Sequence, residues 1–514
     1  MIRGYAGIAL TALFLMGAGA PAMAADCSAL ANVMLENTHI DTAELVAAGK
    51  FQPPPSPFGP PPGVGGANYS TMPAFCRVAA TLTPTPDSDI KVEVWMPASG
   101  WNGKLVGIGN GVWAGTISYS QMAGPVSRGY AAVSTDTGHV GNGLDAGFAV
   151  GHPEKLTDFG YRAVHEMTVT AKALIQNFYA RKPLRSYWTS CSTGGRQGLM
   201  EAYRYPDDYD GISSMAPANP MTNLMTQSIW TGYAAHRTPE NALTREKLAA
   251  VHKAYIQLCD ARDGVTDGLV SDQEACHFDP AVTQCKGADG PDCLTAAQVE
   301  TMRAIYRGPV DPKTGEQILR GFEPGSENQV GALTLSPLPF PVALTYMQDI
   351  VFKDKNWDYK TFDYDEDTQK ARDAGAKILD VPSNGLTDFF AKGGKLLLSH
   401  GWSDGLIPAG NTVAFYQAML AHLGAPAQTQ ARLFMIPGMG HCGGGDGPFV
   451  WDPLSVIEAW VETDTAPQSI TVSDPPNRPA RTRPLCPYPQ VAVYKGSGST
   501  DEAANFTCKA SDMN

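Results

Sequence analysis

Apolar and polar positions alternate over Asp89-Ile-Lys-Val-Glu-Val-Trp-Met96, which is the two-residue period of a half-buried strand. A turn at Trp101-Asn102-Gly103 separates it from Lys104–Ile108, whose unbroken apolar run reads as a strand buried on both faces. Tyr130–Ser134, Leu184–Thr189, Gly211–Met215, Lys395–Ser399 and Arg432–Ile436 read as further short strands. Apolar residues recur near a 3.6 period over Tyr161–Ala180, predicting a helix, and further helices are expected over Gln197–Arg204, Thr412–His422 and Leu454–Thr463. Closer to the start, a short helix is expected over Thr42–Ala48. The Pro-rich run Pro53–Pro62 after it suits an extended surface loop. Strands alternating with helices predict an α/β domain whose parallel sheet is covered on both faces.

The alternation stops near residue 221 and resumes near residue 386. The intervening block holds four cysteines, many aspartates and long helical pieces. The expected organisation is a catalytic domain made of residues 25–220 and 386–514, interrupted by an inserted lid domain over residues 221–385. No repeat of 20 to 50 residues is visible.

Hydrophobic residues make up 43% of the 514 and charged ones 17%, so the chain can bury a large core and is not disordered. The net charge of −13 argues against nucleic acid or an anionic membrane surface as a partner. Residues 1–24 read as a signal peptide: Arg3, an apolar run from Ala6 to Gly17, and the small-x-small site Ala22-Met23-Ala24. The expected location is therefore secreted or periplasmic. No later stretch is long and apolar enough to span a membrane, and nothing in the sequence signals an oligomeric state.

An even count of ten cysteines behind an export signal implies disulfides. Sequence alone leaves their connectivity open. Nearest-neighbour spacing suggests Cys27–Cys76, Cys259–Cys276, Cys285–Cys293 and Cys486–Cys508. That leaves Cys191 and Cys442, either as a pair bridging two distant loops or as two buried free thiols.

Cys191 stands beside Ser192 in Ser190-Cys191-Ser192-Thr193-Gly194-Gly195, between a predicted strand and a predicted helix. That is the context of a nucleophile elbow, a turn that thrusts a serine hydroxyl above a sheet. Ser190 stands where the usual motif has glycine. A serine needs a base, and the base needs an orienting group. The strand ending at Ser399 opens His400-Gly401-Trp402-Ser403-Asp404, and the strand ending at Ile436 opens Pro437-Gly438-Met439-Gly440-His441-Cys442. Ser192, Asp404 and His441, each just past a strand's C-terminal end, follow the chain order of an α/β-hydrolase. His400 is a competing base, better suited to packing beneath Asp404; Asp136 and Asp145 are competing orienters. A zinc pair at His441-Cys442 lacks further ligands at suitable spacing. The oxyanion would be held by the Thr193 N–H and by one amide of Gly109–Gly115, with Gly111 the first choice.

A second constellation is Asp260-Ala-Arg-Asp263-Gly-Val265-Thr-Asp267-Gly-Leu269. Three carboxylates, with the carbonyls of Val265 and Leu269, offer an oxygen shell suited to a structural Ca²⁺. The spacing is not that of an EF-hand, and an acidic solvated loop is the alternative to the favoured metal reading.

With Cys191-Ser192-Thr193-Gly194-Gly195, Asp404 and His441-Cys442 in place, the chain resembles the tannase and feruloyl esterase family. Gly151–Lys155, Ala216–Asn219, the Asp260–Leu269 loop and Phe352–Trp357 look similar too. The resemblance spans nearly the whole mature chain. It implies an α/β-hydrolase with a lid, a bridge between Cys191 and Cys442, a lid-bound calcium and no organic cofactor. It further implies a secreted serine carboxylic ester hydrolase acting through an acyl-enzyme on a small aromatic ester. Feruloyl-type esters are the expected substrates. Galloyl esters and mono(2-hydroxyethyl) terephthalate are alternatives, and a non-catalytic calcium-stabilised binding protein is the alternative from another class. A terephthalate monoester carries a carboxylate that an arginine could hold, and between Pro341 and Asn356 only Lys353 and Lys355 are basic. Trp230, Phe340, Tyr346 and Trp357 could stack on an aromatic acyl group, although core packing is the more ordinary use of such residues.

Overall fold

The computed structural model describes residues 26–55, 68–424, 427 and 429–511. The predicted signal peptide, most of the Pro-rich run and the last three residues lie outside the described residues. Strands follow in the order β1 (Thr38–Val46), β2 (Phe75–Leu82), β3 (Ile90–Pro97), β4 (Lys104–Ile108), β5 (Trp113–Gly115), β6 (Ala131–Thr135), β7 (Gly141–Gly143), β8 (Arg185–Cys191) and β9 (Gly211–Met215). After a long helical block come β10 (Lys395–Gly401), β11 (Ala431–Ile436), β12 (Ile470–Ser473), β13 (Thr482–Leu485), β14 (Gln490–Tyr494) and β15 (Phe506–Ala510).

Nine strands form one sheet in the order β1-β2-β3-β6-β4-β8-β9-β10-β11. From β6 to β11 the pairs are parallel, while β1, β2, β3 and β6 pair antiparallel. The sheet is thus mixed, which corrects the all-parallel expectation. The reason is local: β2 and β3 are joined by a short turn, and a parallel pair would need a crossover.

The expected helix over Thr42–Ala48 is corrected too. Those residues belong mostly to β1, an edge strand paired with β2 over Thr38–Val46 and shifted by a bulge between Ile40 and Thr42. Cys27–Cys76 ties the turn before β1 to β2, with Cα atoms 5.5 Å apart. Edge pairing overrides the helical leaning of Thr-Ala-Glu-Leu-Val-Ala-Ala. The two C-terminal hairpins, β12–β13 and β14–β15, carry no pattern strong enough to be read from sequence; Cys486–Cys508 closes this region.

Within the parallel strands successive side chains feed opposite faces. Leu396 and Leu398 join the core beneath helices Ala163–Tyr179 and Thr193–Arg204, and Leu397 joins the core beneath Tyr119–Ser127 and Pro453–Thr463. Between β9 and β10 the chain adds no strand to the sheet. It builds helices Met221–His236, Arg245–Cys259, Ala296–Arg307 and Glu366–Leu379, which share one apolar cluster with Trp113, Leu156 and Phe159 and form a second around Val251, Met302 and Leu333. Arg196, fully buried in the helix after Ser192, holds this block down: its guanidinium donates to the carbonyls of Gly160 and Leu379 at 3.0 and 3.2 Å. Two further disulfides, Cys259–Cys276 and Cys285–Cys293, lie within it.

The helix Thr193–Arg204 lies very close to β8. A Cβ on Gly198 would fall 2.5 Å from Cδ1 of the fully buried Trp188, whose Nε1 donates to the Gly194 carbonyl. Gly198→Ala should therefore lower stability by about 1–3 kcal/mol despite alanine's better helix propensity. Chemical unfolding checks this, and an unchanged or raised midpoint contradicts the packing argument.

Candidate active site

Ser192 sits between β8 and the helix Thr193–Arg204 with φ 63° and ψ −126°. A non-glycine residue adopts that conformation only when its surroundings enforce it. Here its N–H donates to the Met215 carbonyl at 3.0 Å, and its own carbonyl accepts from Arg196 and Ala218. Gly194 is required behind it, because a Cβ there would fall 2.0 Å from Ser190 Oγ. Ser190 thus replaces the first glycine of the usual motif without loss of the turn.

Cys191 and Cys442 form a disulfide with Cα atoms 6.0 Å apart across 251 residues of sequence. The other four pairs are the ones nearest-neighbour spacing suggests. The bridge joins the residue after His441 in one loop to the residue before Ser192 in the other. His441 Nδ1 lies 2.7 Å from Asp404 Oδ2. Among the described residues His441 Nε2 and Ser192 Oγ have no hydrogen-bond partner, and they do not bond to each other. Bonds of that kind tighten when a substrate carbonyl orients the hydroxyl.

Asp404 is fully buried and fully engaged. Oδ1 accepts the Leu406 and Ile407 amides, and Oδ2 accepts both His441 Nδ1 and His400 Nε2, the latter at 3.1 Å. Burial alone would raise its pKa, but His441 and His400 hold it well below the usual carboxylate range. For His441, burial would lower the pKa and Asp404 raises it, with a net rise above the ordinary histidine value. His400 is completely buried, with Nδ1 on Thr412 Oγ1 at 2.8 Å. Both its nitrogens are occupied, so it can steady Asp404 but cannot serve as a base. Asp136 caps the Lys91 and Gly138 amides and Asp145 caps Gly147; neither meets a histidine ring.

Thr193 Oγ1 donates to the Val112 carbonyl at 2.9 Å, joining the Gly109–Gly115 loop to the elbow. Gly109 permits the approach: a Cβ there would fall 2.7 Å from the Gly194 Cα. Asn110 N–H is spent on Gln197 Oε1 and Ala114 N–H on the Gly111 carbonyl. The Gly111 and Val112 amides have no acceptor among the described residues, so Val112 joins Gly111 as a possible oxyanion donor. Its left-handed φ of 45° carried no sequence signal.

A cavity of about 380 Å³ opens beside the bridge, lined by Ile108, Ser190, Cys191, Met215 and Cys442. A larger one of about 680 Å³ lies between Tyr203, Arg320, Asp380 and Phe415, and neither cavity is lined by Ser192, Asp404 or His441. Of the four aromatic residues, Tyr346 is fully buried with its hydroxyl on the Ala371 carbonyl, and Trp230 donates to the Ala304 carbonyl. Trp357 stacks on Phe352, and half-buried Phe340 packs among the lid's apolar clusters.

In the acidic loop each carboxylate caps backbone amides. Asp260 accepts from Asp267 and Gly268, Asp263 from Val265 and Ser271, and Asp267 from Leu269. Asp267 also meets the Arg483 guanidinium. The three side chains are not among the described groups whose potential metal-ligand atoms all lie within 4.8 Å of one another.

His252, which no motif marks, ties the helical block to the His441 loop. Its Nδ1 lies 3.0 Å from Glu327 Oε2 and its Nε2 2.9 Å from Asp446 Oδ2. Tyr306 donates to the other oxygen of Glu327.

The family described as tannase and feruloyl esterase matches residues 76–509. An uncharacterized esterase from Xanthomonas campestris pv. campestris is 36% identical, over 94% of this chain and 91% of that protein. A probable feruloyl esterase B-2 from Aspergillus terreus is 33% identical, over 94% and 95%. Among solved structures, feruloyl esterase B from Aspergillus oryzae superposes with a TM-score of 0.86 at 30% identity, covering 94% of this chain and 99% of that one. Tannin acyl hydrolase from Aspergillus niger shares the fold, at a TM-score of 0.75 and 22% identity over 93% of both chains.

Burial would lower the His252 pKa, but Asp446 and Glu327 outweigh it and push it from 6.5 up to about 9. A folded-state pKa above the unfolded one stabilises fully below pH about 6.5 and loses that contribution as pH rises through about 9. The melting-temperature difference between wild type and His252→Gln should accordingly be largest in mild acid and vanish in alkali. A difference that does not change with pH contradicts the ionic tie.

Proposed function

Since the chain belongs to the tannase and feruloyl esterase family and is a carboxylic ester hydrolase of that type, we propose that it cleaves feruloyl-type aromatic esters through an acyl-enzyme on Ser192. The observation that carries this reading is the strained Ser192 joined, through the adjacent disulfide, to a loop whose His441 is already bonded to Asp404. Ser192 Oγ attacks the ester carbonyl while His441 Nε2 takes its proton. Asp404 fixes the ring's tautomer and stabilises the imidazolium. The Thr193 N–H, with that of Gly111 or Val112, holds the oxyanion. His441 then protonates the departing alcohol, and water activated by the same ring releases the acid.

A neutral aryl ester is favoured over a terephthalate monoester by the lack of a free cation fork near Pro341–Asn356. Lys355 Nζ already pairs with Asp349, and Lys353 is exposed. The five disulfides support an exported, oxidising location. No helix among the described residues is long and apolar enough to cross a membrane.

The same reading includes a structural calcium on Asp260, Asp263, Asp267 and the carbonyls of Val265 and Leu269. The donor chemistry fits a hard cation, being oxygen throughout. Burial pushes the Asp263 carboxyl up to about 6 and also raises Asp267, with neighbouring carboxylates adding to both and Arg483 offsetting part of the rise at Asp267. A bound ion would add to the charge of Arg483 and fix the loop, and no step of catalysis needs it.

Methyl ferulate, methyl gallate and mono(2-hydroxyethyl) terephthalate, assayed side by side, test the substrate. The expected order places ferulate first, and preference for the terephthalate monoester overturns it. With an activated aryl ester, wild type should show a burst of alcohol, and Ser192→Ala should lose more than about 10³-fold in kcat. Because base catalysis needs neutral His441, kcat/KM should fall as pH drops, with its midpoint above the ordinary histidine value of 6.5. Absence of both burst and turnover would instead support a binding protein. Removing calcium with a chelator should lower the melting temperature, with Asp263→Asn insensitive to added calcium. Identical melts with and without the ion contradict the calcium reading.

A further inference from the structure

Helix Thr193–Arg204 carries a second constellation at the end opposite Ser192. Glu201, in its last turn, is 1% exposed, and neither carboxylate oxygen has a hydrogen-bond partner. A carboxylate is not left bare in a core without cause, since desolvating its charge costs several kcal/mol. It faces His165, on helix Ala163–Tyr179, and Asp208, in the turn before β9. One nitrogen or oxygen from each of the three lies within 4.8 Å of the other two.

The surroundings set these groups in place. The Tyr205 ring stacks on His165 with centroids 3.7 Å apart and planes 6° from parallel. His165 Nδ1 lies 2.6 Å from Asp208 Oδ2. Lys172 Nζ takes the other side of Asp208, 3.3 Å from Oδ1 and 2.6 Å from its carbonyl, so Oδ2 remains turned toward His165 and Glu201. Half-exposed His165 leaves a way in from solvent. We propose that His165, Glu201 and Asp208 bind a first-row divalent cation, zinc by choice, as a structural site that pins helix Ala163–Tyr179 to the far end of the nucleophile helix.

One imidazole nitrogen with two carboxylate oxygens is a borderline donor set. It suits zinc, with a water as fourth ligand, better than calcium or magnesium, which take oxygen alone. This separates the site from the all-oxygen loop at Asp260–Leu269. Burial pushes the Glu201 carboxyl well up, and neighbouring Asp208 adds to the rise. Burial would raise Asp208 as well, but His165 and Lys172 hold it below its usual value. Zinc entry displaces the Glu201 proton and any proton on the His165 nitrogen that binds; both go to solvent, and affinity should rise with pH. The competing account is a knot without metal, in which protonated Glu201 donates to Asp208.

Full-length protein, stripped with a chelator and returned to calcium-containing buffer, would be titrated with zinc chloride by calorimetry. Wild type should take up about one equivalent more than His165→Gln or Glu201→Gln and gain several degrees in melting temperature. Cobalt chloride should give the visible absorption of a four-coordinate site in wild type alone, and ester turnover should be unchanged by His165→Gln. Should Glu201→Gln fail to fold, partly exposed His165→Gln still decides the matter. No zinc uptake by wild type, or equal uptake by wild type and His165→Gln, overturns the proposal in favour of the protonated knot.

Discussion

One covalent link, Cys191 to Cys442, sets the distance on which the site depends. It joins the residue before Ser192 to the residue after His441, on loops at the ends of β8 and β11 that two intervening strands and 251 residues of chain keep apart. Closing so long a loop restricts the unfolded chain and typically stabilises by a few kcal/mol. The larger consequence lies in the folded state. The His441 loop runs through Gly438, Gly440, Gly443, Gly444 and Gly445, and such a run has little stiffness of its own. The sulfur bridge fixes it from one side, Asp404 holds the imidazole, and His252 holds Asp446 a few residues further on. An imidazole constrained from three directions needs little reorganisation when the serine hydroxyl turns toward it.

The helical block between β9 and β10 is tied to both of these loops' surroundings. Arg196 fastens it to the nucleophile helix through carbonyl oxygens, and His252 fastens it to the base loop through charge. Of the polar contacts between the two parts, these two stand beside the site: Arg196 is on the helix that follows Ser192, and Asp446 is on the loop of His441.

Much of the fold was legible because parallel strands buried on both faces are short apolar runs with sharp ends. Lys104–Ile108 and Gly211–Met215 were read to the residue, and the Ser, Asp, His order followed from what stood at the strand ends. The edge was not legible. Thr38–Val46 has a mixed pattern, and its strand exists only because β2 lies beside it. Cysteine spacing suggested the four pairs between sequence neighbours and left Cys191 and Cys442 either bridged or free, the bridge being what the family resemblance implied. His252, Glu201 and the Val112 carbonyl could not be found that way, because each acts through a partner more than five residues away that no local pattern announces.

The most direct measurement is on the double variant Cys191→Ser/Cys442→Ser, with kcat for an aromatic ester followed beside the circular dichroism of the folded protein. If the bridge is what holds base and nucleophile in register, the variant should keep its secondary structure and lose about a hundredfold in kcat. A folded variant that turns over at the wild-type rate would show that the loops find each other unaided, and the account built on the bridge would be wrong.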